Sequence, residues 1–146
     1  MAPKPTVSFL LVEDDSVDVE AVRRSFQKHG FEPPLVTASD GVEALSILRG
    51  EKSVALQRPY VVLLDLNLPR MGGFEFLSQL RADPELRDAV VFVLSTSNAE
   101  RDKRKAYAHN VAGYFVKSDL GSGLQNIIPL LATYDSVVHY PLGSCA

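Results

Sequence analysis

Glu13, Asp14, Asp65, Ser95 and Lys117 stand directly at, or one residue beyond, the end of a short apolar run. Three carboxylates brought close together repel, which raises their pKa values or recruits a cation. Oxygen-only ligands favour a hard ion, and with room left for water and a phosphate the expected ion is Mg²⁺ rather than a caged Ca²⁺. Lys117 supplies a compact positive charge and Ser95 a hydroxyl, both suited to the oxygens of a phosphoryl group. Asp65 is the only acid placed as a nucleophile. Read singly, each has an ordinary explanation: Glu13-Asp14-Asp15 as acids at a helix start, Ser95 in a turn, Lys117 as a solvated loop residue. Their joint arrival at one edge is what points to chemistry.

That edge has to be built by the elements between them. Ser8–Val12, Leu35–Ala38, Val61–Leu64, Val90–Leu94 and Ala112–Val116 are apolar runs of strand length. Val61-Val62-Leu63-Leu64 is too continuous for a strand with one wet face, so it reads as a central parallel strand covered on both sides. Between the runs lie helical patterns. Ser16 or Asp18 is expected to cap a helix carrying Val19, Val22 and Phe26 inward, and Asp40-Gly41 opens one with Val42, Leu45 and Leu48 inward. Leu68 to Gly73 turns the chain into a helix beginning at Phe74, with Leu77 and Leu80 inside, broken at Asp83-Pro84. Asn98 to His109 has a strongly charged face and should be the least buried helix. A last helix from about Ser122 presents Leu124, Ile127, Ile128 and Leu131 in one stripe, with Pro129 in conflict. The class is α/β: a doubly wound, flavodoxin-like (βα)5 parallel sheet in the order 2-1-3-4-5. Ligands in such sheets bind at the carboxyl ends of the strands.

The 146 residues suit one domain, expected to cover 1–133, with 134–146 as a C-terminal tail. Fifteen Lys+Arg against 18 Asp+Glu give a net charge of −3, so no basic field points toward nucleic acid or a membrane surface. A single cysteine, Cys145, suits a reducing cytoplasm, and MAPKPT lacks the apolar core of a signal peptide. A soluble, cytoplasmic protein is expected. Leu130, Tyr134, Val137, Val138, Tyr140 and Leu142 find no obvious place in a five-stranded core, which predicts a homodimer built on the last helix and the tail.

The stretches LLVEDD at 10–15, LLDLNLPRMGG at 63–73, LSTS at 94–97 and GYFVKS at 113–118 resemble a two-component response-regulator receiver domain, over roughly Val7 to Leu131. The resemblance implies that Asp65 accepts a phosphoryl group from the phosphohistidine of a sensor histidine kinase. It also implies Mg²⁺ held by Asp14, Asp65 and the Asn67 backbone carbonyl, with Glu13 acting through water. Lys117 would pair with the phosphoryl oxygens, Ser95 would bond to one of them, and Tyr114 would turn inward with it. Such a domain is a phosphoacceptor switch, catalysing only its own modification, and not an enzyme with an independent substrate. LSTSN, the apolar tail and Ser118 in place of the family's proline resemble the regulators that partner phytochrome-type kinases. Tyr134 to Ala146 is too short for a DNA-reading module. The rivals are weaker: an aspartate-nucleophile phosphatase of the haloacid-dehalogenase kind needs a second Asp where Asn67 stands, an FMN carrier needs a phosphate loop where three acids stand, and a pseudo-receiver needs no intact constellation.

Overall fold

The computed structural model describes residues 6–52, 56–121 and 124–141. In chain order the elements are β1 (Ser8–Val12), α1 (Ser16–Lys28), β2 (Leu35–Ala38), α2 (Gly41–Leu48), β3 (Tyr60–Asp65) and α3 (Gly73–Ala82). They continue as β4 (Val90–Ser95), α4 (Glu100–Ala108), β5 (Gly113–Val116), a 3₁₀ turn at Lys117–Leu120 and α5 (Ile127–Val137). All pairings are parallel and the order is β2-β1-β3-β4-β5, as the alternating pattern predicts.

Alternate strand residues feed two cores. Leu10, Val12, Val62, Leu64, Val91 and Val93 pack with Ala44 and Leu45 of α2, Phe76, Leu77 and Leu80 of α3, and Ala106 of α4. Phe9, Leu11, Val61, Leu63, Phe92 and Leu94 pack with Val22 and Phe26 of α1 and with Ile127, Ile128 and Leu131 of α5. β3 is therefore dry on both faces. Truncating Leu63 or Leu64, each fully buried, would cost about 2–5 kcal/mol.

Four expectations are corrected. The N-cap of α1 is Asp15, whose side chain accepts from the Val17 N–H at 2.9 Å, and not Ser16 or Asp18. On α2 the inward residues are Gly41, Ala44, Leu45 and Ile47, with Leu48 half-buried, while Val42 is 40% exposed. Gly41 sets that phase: a Cβ there would meet the Met71 carbonyl oxygen at 2.9 Å, so only this glycine can face the β3–α3 loop. In α3 the buried aromatic is Phe76, with Phe74 half-buried at the margin of the core. Pro129 is no conflict, because α5 starts at Ile127 and leaves the proline in the first turn, where an N–H has no partner within the helix.

Ser122, the expected helix start, lies outside the described residues. Leu124 is buried as expected, but from a left-handed conformation (φ 56°) ahead of the helix. α5 also runs past Thr133, so the expected boundary between domain and tail falls inside it. Tyr134 and Tyr140 fold back on the second core, with the Tyr134 ring 5.1 Å from that of Phe92 and 6.1 Å from that of Tyr140. Leu142 and Cys145 are beyond the described residues. α4 is the least buried helix, as its charged face predicts, with Ala106 its one buried residue.

Candidate functional site

The parallel register aligns the strand ends that carry the acids. Val12 sits opposite Leu64, Asp65 opposite Leu94 and Ser95 opposite Val116, so the residues that follow converge on one edge of the sheet. Glu13 extends β1 by one more hydrogen bond, from its N–H to the Ala38 carbonyl at 2.9 Å. Its carboxylate is turned into the structure, only 4% exposed, whereas Asp14 faces solvent. Asp65 ends β3 at 7% exposure. Just beyond it Gly73 packs so closely under the chain that an added Cβ would lie 2.6 Å from the Leu66 Cα.

One oxygen from each of Glu13, Asp14 and Asp65 can be chosen so that all three lie within 4.8 Å of one another. Lys117, the residue after β5, reaches across with its ammonium 2.8 Å from Glu13 Oε2, 2.7 Å from Asp18 Oδ2 and 3.2 Å from Asp65 Oδ2. The Asn67 N–H donates to Asp65 Oδ1 at 3.0 Å, and the Asp15 N–H to Glu13 Oε1 at 3.1 Å. Around these groups opens a crevice of about 410 Å³, bordered also by Asn67 and Thr96.

Burial pushes the Glu13 carboxyl up, and the neighbouring Asp65 adds to this; Lys117 offsets only part, leaving Glu13 at about 7. Burial works against the charge on Lys117 as well, yet the Asp18 and Glu13 carboxylates outweigh it and hold the ammonium above its ordinary range. The site thus keeps a fixed cation beside crowded acids. An all-oxygen donor set of this charge fits a hard divalent cation.

Of the residues expected here, Glu13, Asp14, Asp65, Asn67 and Lys117 share the crevice. Ser95 is buried beside it, lining an adjoining depression with Phe74, Ser97 and Asp102; Asn67 and Thr96 border both. The Ser95 hydroxyl accepts from the Ser97 N–H at 3.0 Å. Tyr114 is turned toward the same loop and donates its hydroxyl hydrogen to the Ser97 carbonyl at 3.0 Å. Ser97 in turn donates to Asp102 of α4 at 2.6 Å. The Lys117–Ser118 bond is not cis; among the described residues Arg58–Pro59 is the one cis peptide.

Sequence reasoning assigned no site role to Asp18, Thr96 or Ser97. Asp18 offered only the signal of an acid in the first turn of α1, which the helix dipole satisfies without further explanation. Thr96 and Ser97 could have been found in the run of hydroxyl residues that follows β4.

Comparison with known proteins agrees with this geometry. Residues 9–128 match the response regulator receiver domain family. The chain is 39% identical over 108 residues to the probable methanogenesis regulatory protein FilR2 of Methanothrix harundinacea, covering 74% of this chain and 70% of that one. It is 34% identical over 115 residues to the response regulator Rcp1 of Synechocystis, covering 78% of each. The Mn²⁺-bound structure of Rcp1 superposes with a TM-score of 0.77 at 30% identity, over 94% of this chain and 99% of that one. The phosphorylated cyanobacterial phytochrome response regulator RcpA superposes with a TM-score of 0.79 at 30% identity, over 92% and 97%. Among the described residues no helix is long and apolar enough to cross a membrane. With the family matched over most of its length and the fold shared with these regulators, the chain belongs to the response regulator receiver domains.

Proposed function

We propose that Asp65 is the phosphoacceptor of a two-component relay, taking its phosphoryl group from a histidine kinase. The observation that carries this reading is the Lys117 ammonium 3.2 Å from Asp65 Oδ2, beside the three-carboxylate group. An Asp65 oxygen forms a bond to phosphorus as the P–N bond of phosphohistidine breaks, the electron pair returning to the imidazole nitrogen. Lys117 holds the charge of the transferring oxygens, while the Asn67 N–H fixes the carboxylate's orientation. Asp14, Asp65, the Asn67 carbonyl and, through water, Glu13 would hold Mg²⁺, which when bound supplies further charge stabilisation. Attack by water on the acyl phosphate releases inorganic phosphate and restores Asp65, so the domain acts on no independent substrate.

Output runs through the α4-β5-α5 face. Ser95 and Tyr114 meet at Ser97, so a phosphoryl oxygen that drew the Ser95 hydroxyl toward Asp65 would disturb one network ending on α4. Likeness to a phytochrome response regulator supports a bacterial phytochrome as the kinase. Leu130 at 50% and Val137 at 70% exposure, two turns apart on α5, support a homodimer through that helix and the residues that follow. DNA and membranes have no part in this reading.

Incubation with acetyl phosphate and Mg²⁺, followed by intact mass measurement, tests the assignment. The wild type should gain one phosphoryl group and Asp65→Asn none. Full labelling of that variant would refute Asp65 as the acceptor.

A further inference from the structure

Lys117 has three N–H donors and three carboxylate partners, and the partners are not equivalent. Glu13 and Asp65 also belong to the group suited to a divalent cation, and Asp65 is the proposed acceptor as well. Asp18 has no such second claim. It stands outside that group, in the first turn of α1, and makes the shortest of the three contacts at 2.7 Å. The lysine side chain is 11% exposed and that of Asp18 26%, so the pair sits in the wall of the crevice and not out in solvent.

A lysine side chain is long and flexible, and holding it in one rotamer costs entropy. Phosphoryl transfer depends on charge held in place before the reaction begins. An acceptor that fixes one N–H of a tetrahedral ammonium leaves the other two pointing in set directions. The position of Asp18 is itself fixed from behind: Asp15 caps α1 through the Val17 N–H, and Val22 and Phe26 anchor the helix in the second core.

We propose that Asp18 is a positioning residue for phosphoryl transfer, anchoring the Lys117 ammonium so that its remaining donors face the phosphoryl oxygens on Asp65. This rests on the phosphoacceptor reading above. Asp18 touches neither the acceptor nor the transferring group; it acts through Lys117. The competing explanation, an acid that merely complements the dipole of α1, concerns helix stability and leaves the ammonium and the transfer rate alone.

Asp18→Asn keeps the shape of the side chain and removes its charge. Three measurements on the full chain decide the matter. In ¹⁵N-resolved NMR of the metal-free protein, the wild type should show a Lys117 ammonium signal protected from water exchange, lost in Asp18→Asn. By calorimetry, the affinity for Mg²⁺ should change by less than about twofold, because Asp18 is no ligand, while the rate of phosphorylation by acetyl phosphate in saturating Mg²⁺ should fall about tenfold. Asp18→Glu should recover part of that rate. An unchanged or faster rate in Asp18→Asn overturns the proposal, as does a loss of Mg²⁺ affinity as large as the loss of rate. A wild type that takes up no phosphoryl group overturns the parent reading and this role together. Labelling of the wild type at Asp65 with no effect of Asp18→Asn overturns this role alone.

Discussion

Arg70 grips a single oxygen of Asp40, with Nε 2.7 Å and a terminal nitrogen 2.6 Å from Asp40 Oδ2. The other oxygen of the same carboxylate accepts from the Glu43 N–H at 2.8 Å and caps α2. One buried carboxylate therefore ties the start of α2 to the loop that follows Asp65, where Arg70 itself holds a left-handed conformation at φ 58°. The Arg70 side chain is 63% exposed, so the ion pair contributes little and the cap most of the effect. Asp40→Ala should destabilise the fold by about 1–2 kcal/mol in urea unfolding.

The same pair sets a pH dependence. Burial alone would raise the Asp40 carboxyl, but the Glu43 N–H and Arg70 outweigh it and hold it below its ordinary value. An acid whose folded pKa is depressed contributes stability above its unfolded value, about 3.9, and loses it as pH falls through the folded value. The stability gap between wild type and Asp40→Asn should therefore narrow as pH falls below the ordinary carboxylate range. Curves that stay parallel would show that the carboxylate's charge contributes nothing.

Gly73→Ala should damage the site by crowding. Its Cβ would press on the Leu66 Cα at 2.6 Å and the Asp65 carbonyl oxygen at 2.9 Å, and backbone atoms cannot swing aside. A loss of about 1–3 kcal/mol is expected, with chemical shifts moving at Asp65 and Asn67. A variant as stable as wild type would mean the loop relaxes freely.

Ser95→Ala should still accept a phosphoryl group, yet lose the phosphorylation-linked change in amide exchange over α4 and β5. Tyr114→Phe, which removes the hydrogen bond to the Ser97 carbonyl, should weaken the same change without blocking uptake. Wild-type exchange differences in both variants would remove these residues from the switch.

The strands were legible as apolar runs of strand length, their order from the alternation with helices, and the acids because they end those runs. What escaped was fixed by contacts remote in sequence. The phase of α2 depends on Gly41 meeting Met71, a clash that no periodicity reveals. Asp18 finds its partner 99 residues away, and a dipole-compatible acid in a first turn gives no hint of it. The late start of α5 follows a left-handed Leu124, a backbone state that leucine does not advertise. Tyr134 and Tyr140 read as surplus, yet they pack on the second core through rings that no strand pattern discloses.

Dimerisation through α5 can be tested with Leu130→Glu and Val137→Glu, which place charge on the exposed stripe without touching either core. Light scattering at high micromolar concentration should give a dimer for the wild type and a monomer for the double variant. A wild-type monomer, both with and without phosphorylation, would defeat the dimer.

Lys117 arrives last. The carboxylates it gathers come from the residue after β1, the first turn of α1 and the end of β3, all earlier in the chain than β5. Without β5 in place, the three acids would lack the ammonium they share. The ammonium that serves the chemistry is then also the keystone of the sheet's carboxyl edge, and competence to react becomes a report that the final strand is in place.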